Sequence, residues 1–179
     1  MTQIGANYGG ALYDLAADEN LSRDILEQLQ VLSQSFSQEP GFLRLLSTHS
    51  IAKAERSKIV ADSFAGKVHP YVLNFLRILT EKGYVRHFPE CVDAYRMRYN
   101  QANNILPVTA VTALELSDAQ KNRLQMKLQE QTGKTIELTN RVDPDVLGGV
   151  RLDFDGKCVD DTLTHRLDSI RHMLNHTVL

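Results

Sequence analysis

The hydrophobic periodicity of this chain changes once, near Asn103, and that change limits the folds it can adopt. Before Asn103, apolar residues recur every three or four positions, as they do along one face of an α-helix. After Asn103, short segments alternate apolar and polar residues, which is the pattern of a half-buried β-strand. We therefore predict an α+β protein with an N-terminal six-helix bundle over residues 1–105 and a small α+β domain over residues 106–179.

The six predicted helices are separated by short breaks, which favour an antiparallel bundle. Apolar stripes mark the first two helices, at Ile4, Tyr8, Ala11, Leu12 and Leu15 and at Ile25, Leu29, Leu32 and Phe36. Pro40 and Gly41 break the pattern, and a short turn over 42–46, the third of the six elements, follows. Helices are then predicted over 52–64 and 70–82, with Gly83 ending the second of them. The stripe of the last helix is Val92, Tyr95, Tyr99 and Ala102.

The second domain is predicted to combine strands with two helices. A β-branched stretch over 108–113 follows Pro107 and favours a strand. Ser117 and Gln120 form a capping box that starts a helix, which Gly133 closes. Alternation predicts strands over 135–139 and 150–155, and the turn at 155–156 returns the chain along 157–159. A final helix carries the apolar stripe Leu163, Leu167, Ile170 and Leu174.

Composition and charge exclude several classes of protein. The formal net charge of the 179 residues is -2 and the basic residues are scattered, so no nucleic-acid footprint or membrane-binding cluster is visible. No apolar run approaches the ~20 residues of a membrane-spanning helix, and the first residues lack the pattern of a signal peptide. Cys91 and Cys158 fall in different predicted domains, as expected of reduced thiols in a cytoplasmic protein.

Four features that could carry chemistry each have a simpler interpretation. Gly66 and Lys67 lack the remainder of a phosphate-binding loop, and the Gly9–Gly10 pair, inside a helical pattern, favours close helix packing over phosphate binding. The segment 153–156 is either a strand with its turn or a calcium loop without its closing Glu. His172 and His176, one helical turn apart, are either solvated or two ligands of a metal. We predict no catalytic, cofactor or metal site, and therefore a binding or scaffold protein.

The predicted helix over 70–82 is apolar nearly all round, because only Asn74 and Arg77 are polar between 71 and 79. Such a helix must be covered on several sides. It is either central in its own bundle or part of a groove that receives an amphipathic helix of another protein.

Four segments of the chain resemble ATP synthase delta subunits, the bacterial counterpart of the mitochondrial oligomycin-sensitivity-conferring protein. Residues 8–16 (YGGALYDLA) resemble the opening signature of that family, and residues 74–79 (NFLRIL) resemble its fifth-helix motif. Residues 108–116 match the start of the family's C-terminal domain. The most specific match is 142–150 (VDPDVLGGV), followed by Asp160, Asp161 and Thr162 and by Arg166 and Leu167. The chain departs from the family pattern at Gly9, at 82–84 and at 161–162.

The resemblance implies a fold, a function and a set of partners. The fold is the predicted one, and the function is that of a non-catalytic stator subunit, one copy per complex, which links the catalytic head to the peripheral stalk. The N-terminal bundle would bind the N-terminal segments of the alpha subunits in a groove between its first and fifth helices. The partner-binding residues would be Tyr8, Ala11, Leu12, Leu15, Phe75, Leu76 and Leu79. The C-terminal domain would contact the b subunits, on the cytoplasmic face of a bacterial inner membrane.

Two other functions remain open on the sequence alone. One is an unrelated cytosolic adaptor that binds some other helix, and the other is an enzyme with an unrecognised site. Gly148 and Gly149 are expected to form a bulge or a close backbone approach, with direct contact to a partner as the alternative. No cofactor is implied by either the residues or the resemblance.

Overall fold

The computed structural model describes residues 2–48, 51–146, 148–154 and 156–160. Within these residues the helices are α1 (Gln3–Asp18), α2 (Ser22–Gln38), α3 (Pro40–Ser47), α4 (Lys53–Phe64), α5 (Pro70–Lys82), α6 (Phe88–Ala102) and α7 (Asp118–Thr132), with a 3₁₀ turn at Val85–His87 before α6. The strands are β1 (Ile105–Thr112), β2 (Thr135–Val142), β3 (Val150–Phe154) and β4 (Lys157–Asp160). The chain divides into two units, Met1–Tyr99 and Asn100–Leu179, and each is described separately.

Several sequence expectations fall on residues outside the described ranges. These are the final helix with its stripe Leu163, Leu167, Ile170 and Leu174, the pair His172 and His176, the turn residue Asp155, and Asp161 with Thr162. None of the helices that the structure does describe combines the length and the apolar character needed to cross a membrane.

The third helix corrects one expectation. The segment after Pro40 is not a short turn over 42–46 but an eight-residue helix, α3, that starts at Pro40 itself. Proline is well tolerated at the first position of a helix, because the N–H it lacks has no partner there in any case. Pro40 therefore separates α2 from α3 by starting the second helix. Pro70 starts α5 in the same way, and Gly83 ends it as predicted.

The helical unit has a single apolar core. Its largest fully buried side chains include Tyr95, Phe88, Ile25, Leu29, Leu46, Leu76 and Leu79. The Tyr95 hydroxyl donates a hydrogen bond of 2.9 Å to the carbonyl oxygen of Ser22, which satisfies the polar end of that buried ring. The predicted stripe residues Ile25, Leu29, Leu32 and Phe36 of α2 are all part of this core.

Glycines allow α1 to approach α6 closely. A Cβ atom added at Gly9 would lie 2.2 Å from the carbonyl oxygen of Cys91, which is far inside contact distance, so the two helices could not pack as they do. At Gly10 an added Cβ would meet the guanidinium of Arg98, which lies across α1 and pairs with Asp14 at 2.7 and 2.9 Å. The structure thus places Gly9 and Gly10 in helix packing.

The second unit is a four-stranded sheet in the order β2-β1-β3-β4. β1 and β2 are parallel and are joined through α7, whereas β1–β3 and β3–β4 are antiparallel. The core between α7 and the sheet consists of Leu106, Val108, Leu128 and Ile136. The capping box of Ser117 and Gln120 starts α7 as predicted.

β1 begins earlier than the predicted strand over 108–113 and includes Pro107. Among the described residues β3 pairs with β1 at 109–112, and Pro107 pairs with Glu137 of β2. A proline fits a strand where the ladder does not need the N–H that it lacks. Before β3, Gly149 has a φ of 88°, a conformation that side-chain-bearing residues rarely adopt, which supports a role in the fold.

We expect Gly9→Ala to lower the free energy of unfolding of the helical unit by about 1–3 kcal/mol, because the added methyl group overlaps the backbone of α6. All six tyrosines lie between residues 8 and 99 and the chain has no tryptophan, so tyrosine fluorescence during urea unfolding reports this unit alone.

The matched control is Gly41→Ala in α3. Nothing lies within 4 Å of a Cβ added at Gly41, and alanine favours a helix over glycine by roughly 0.5–1 kcal/mol. The control variant should therefore be as stable as the original chain or more so. Equal stability of the two alanine variants would contradict the close α1–α6 contact.

Candidate functional site

A groove of about 260 Å³ lies between α1 and α5 in the helical unit. Its lining residues are Tyr8, Ala11, Leu12 and Leu15 from α1 and Tyr71, Asn74, Phe75 and Ile78 from α5. Each set has the spacing i, i+3, i+4, i+7, which places its four members on one face of a helix. Two helical stripes thus form the two walls of the groove.

The two walls run antiparallel. The Tyr71 hydroxyl, near the start of α5, donates a hydrogen bond of 3.3 Å to the carboxylate of Glu19, just after the end of α1. At the other end, the ring of Tyr8 packs edge-on against that of Tyr84, which follows α5, with centroids 5.9 Å apart. These two contacts tie both ends of α1 to α5 and leave the groove between them.

The floor and rim of the groove differ in exposure. Leu12 and Phe75 are only 5% and 6% exposed and form the floor. Leu15 and Ile78 are 44% and 37% exposed and form the rim. Large apolar side chains at a concave surface with this much exposure are typical of a site that a partner covers.

Leu76 and Leu79, which the sequence analysis assigned to the groove, do not line it. Their side chains are 1% and 0% exposed and belong to the core of the bundle. Tyr71, Asn74 and Ile78 take their place in the α5 wall. The sequence signal for this face is the spacing of Phe75, which is four residues after Tyr71 and three before Ile78. Such a spacing places all three residues on one stripe of α5.

The start of α5 is held by a chain of hydrogen bonds. His69 donates its backbone N–H to the side-chain oxygen of Gln28 at 2.7 Å, and its ring nitrogen accepts the N–H of Tyr71 at 3.3 Å. The carboxylate of Glu19 beside the Tyr71 hydroxyl raises the pKa of that tyrosine above its usual value. Tyr71 therefore stays neutral at physiological pH and keeps donating to Glu19.

The groove is lined mainly by apolar side chains, and its two tyrosines are the ionisable residues among those that line it. A second cavity, of about 480 Å³, is lined by Asp24, Glu27, Gln28, Val31, Leu32, Lys67 and Val68. Its charged rim makes it a poorer fit for an apolar partner than the α1–α5 groove.

Among the described residues no metal-binding cluster is found, and the cysteine of the helical unit, Cys91, is buried. No three His, Cys, Asp or Glu side chains among the described residues are grouped so that they could hold a metal ion. Burial, with the nearby Glu90 carboxylate, raises the pKa of the Cys91 thiol to about 11, so this cysteine is protonated and unreactive at neutral pH.

The sheet unit exposes its own apolar side chains, of which Leu114 is the most exposed at 80%. The loop that carries it is fixed by Asn140, which donates to the carbonyl oxygen of Ala110 and accepts the N–H of Leu116, at 2.9 and 2.8 Å. Val142, 47% exposed, pairs in register with Thr112 at the same end of the sheet. Leu114 and Val142 are thus held in place on a fixed backbone.

Comparisons with known proteins agree over nearly the whole chain. The family model described as ATP synthase delta (OSCP) subunit matches residues 4–174. The ATP synthase subunit delta of Alkaliphilus oremlandii is 30% identical over 172 residues, covering 96% of each chain. That of Lactobacillus gasseri is 32% identical over 173 residues, covering 96% of this chain and 94% of the relative.

The fold also matches a solved structure. A chain in the cryo-EM structure of the Toxoplasma gondii mitochondrial ATP synthase hexamer superposes with a TM-score of 0.76 at 15% sequence identity. The match covers 97% of this chain and 98% of that one. At so low an identity the likeness concerns the fold.

We expect core and rim residues of these helices to respond differently to truncation. Leu79→Ala should lower the free energy of unfolding by about 2–5 kcal/mol, because it leaves a cavity in the bundle core. Leu15→Ala should change it by less than about 1 kcal/mol, because the side chain is already largely in water. Urea unfolding followed by tyrosine fluorescence measures both, and equal losses would mean that the groove rim is part of the core.

Proposed function

Because the chain belongs to the ATP synthase delta (OSCP) subunit family, we propose that its α1–α5 groove binds the N-terminal segments of the alpha subunits. The chain is a stator subunit of a rotary ATP synthase, linking the catalytic head to the peripheral stalk. The α1–α5 groove is the surface with which it would hold the head. The observation that carries it is the pair of facing apolar stripes, one on each helix, with exposed rim residues.

The dimensions of the groove suit one amphipathic helix. Residues seven apart on a helix are separated by roughly 10 Å along its axis, so each wall presents about two turns to the occupant. A helix that lays its own apolar stripe into the groove would cover the rim residues Leu15 and Ile78 and contact the floor at Leu12 and Phe75. The desolvated centre of such a contact supplies most of its binding energy.

The mechanism requires binding and no chemical step. A rotor turning inside the catalytic head would drag the head with it unless a static link resisted the torque. We propose that this chain is not an enzyme and resists the torque by the strength of its contacts. The alternative of an unrelated adaptor has no support, since the family match covers residues 4–174.

The second attachment of the stator is proposed to be the sheet unit, through contact with the b subunits of the peripheral stalk. Its exposed apolar residues Leu114 and Val142, held at one end of the sheet, support this assignment. In a bacterial cell the complex would place the chain, in one copy, on the cytoplasmic face of the inner membrane.

A peptide with the sequence of the alpha-subunit N-terminus from the same organism should bind the full chain with nanomolar affinity, about -12 kcal/mol. Leu15→Asp or Ile78→Asp should weaken binding roughly 100-fold, because the peptide would have to cover a carboxylate with its apolar face. Fluorescence anisotropy of the labelled peptide measures both effects.

The matched control for these two variants is Met97→Asp on α6. Met97 is 59% exposed and lies outside the groove, so its replacement adds the same charge without affecting the peptide. A peptide that fails to bind at tens of micromolar, or that binds all four chains alike, would refute the groove as the docking site.

For the stalk contact, we expect Leu114→Asp to reduce the recovery of b subunits with the chain from detergent-solubilised membranes. The side chain is in water and its loop is fixed by Asn140, so the fold should tolerate the change. Met126→Asp, on α7 and 57% exposed, is the control in the same unit. Full recovery of b with the Leu114 variant, or equal loss with both, would place the contact elsewhere.

A further inference from the structure

The α1–α5 groove contains one polar side chain other than its tyrosines, that of Asn74. We propose that Asn74 sets the register of the bound helix by pairing with one uncharged hydrogen-bonding side chain, a serine, threonine, asparagine or glutamine, within the apolar stripe of that helix. The inference rests on the proposed function, since it concerns how the same groove selects its occupant.

The position of Asn74 places it where an occupant must cover it. It follows Tyr71 by three residues and precedes Ile78 by four, so it lies close to the middle of the α5 wall. Its neighbour Phe75 forms part of the floor, and the facing wall from α1 is apolar apart from Tyr8 at the far end. A helix seated on this groove would therefore cover Asn74.

The amide of Asn74 is available to a partner. Its side chain is exposed and has no hydrogen-bond partner among the residues that the structure describes. The other polar group of the α5 wall, the Tyr71 hydroxyl, already donates to Glu19. An amide offers both donors and an acceptor, so once covered it needs a polar group on the occupant, because a buried polar group without a partner opposes binding.

This requirement distinguishes one register from its neighbours. Sliding the bound helix by one turn, about 5.4 Å, keeps its apolar stripe in the groove but carries its polar residue away from Asn74. Each slipped register would then bury two unpaired polar groups. A lone asparagine in an apolar helical interface fixes register in coiled coils by the same reasoning. Asn74 is therefore a specificity determinant more than a source of affinity.

The change Asn74→Leu provides a test, because the two explanations of Asn74 predict opposite effects on the affinity for the alpha-subunit peptide. If Asn74 were only an exposed rim residue, leucine would extend the apolar wall and the alpha-subunit peptide would bind the full chain more tightly. If Asn74 pairs with the peptide, leucine should weaken binding about tenfold, because the polar side chain of the peptide is then buried without a partner. Fluorescence anisotropy gives the dissociation constants.

The second arm of the test exchanges the polar residues of the peptide for leucine, one at a time. One such peptide should bind the original chain about tenfold more weakly than the unaltered peptide does. The same peptide should bind the Asn74→Leu chain at least as tightly as the unaltered peptide binds the original chain. The other exchanged peptides should show no preference of this kind. This double-mutant cycle identifies the peptide residue that faces Asn74.

The controls separate this inference from the proposed function. Gln30→Leu, at an exposed position of α2 outside the groove, adds the same apolar side chain and should leave binding unchanged. Failure of the original chain to bind the peptide would refute the docking site itself. The role of Asn74 alone would be overturned by two results together. The Asn74→Leu chain would bind the unaltered peptide as tightly as the original chain or more tightly, and no exchanged peptide would prefer the leucine variant.

Discussion

The close contact of α1 with α6 is the constraint on which the helical unit depends. At Gly9 the backbone of α6 approaches so closely that no side chain fits between the two helices. This contact fixes the rotation of α1 about its own axis, and that rotation determines which of its residues face α5. The stripe Tyr8, Ala11, Leu12 and Leu15 then faces α5 and forms one wall of the groove. The packing of α1 against α6 thus positions the α1 wall of the groove.

The sheet unit uses polar contacts for a similar purpose. Asn140 of β2 bonds to the backbone on both sides of the loop that follows β1, and the N–H of Asp143 bonds to the carbonyl oxygen of Thr112. These bonds hold a loop that would otherwise be free to move and that carries an almost fully exposed leucine. An exposed apolar side chain on a fixed backbone loses little further entropy when a partner covers it. Both units therefore present apolar groups that are already in place.

The sequence predicted the elements well and the groove only in part, for physical reasons that particular residues show. Periodicity located α5 from Pro70 to Lys82 because both ends carry strong signals, a proline and a glycine. It misjudged α3 because Pro40 and Gly41 were taken as a break, although a proline can equally begin a helix. The prediction starts β1 after Pro107 because a proline within a strand is unusual, and only the pairing of Pro107 with Glu137 of β2 shows that it belongs to the strand.

The assignment of Leu76 and Leu79 to the groove exposes a limit of one-dimensional patterns. When a helix is apolar nearly all round, its sequence states that it is covered but not which side is covered by its own bundle. In α5 the groove-facing side and the core-facing side are occupied by adjacent residues, since Ile78 lies at the groove rim and Leu79 lies in the core. In the proposed attachment a stator needs this arrangement, because a docking helix that yielded under load would weaken the coupling of the head to the stalk. Since its inner face is buried in the core that also holds α2 and α6, α5 can present an apolar outer face without depending on a partner for its own stability.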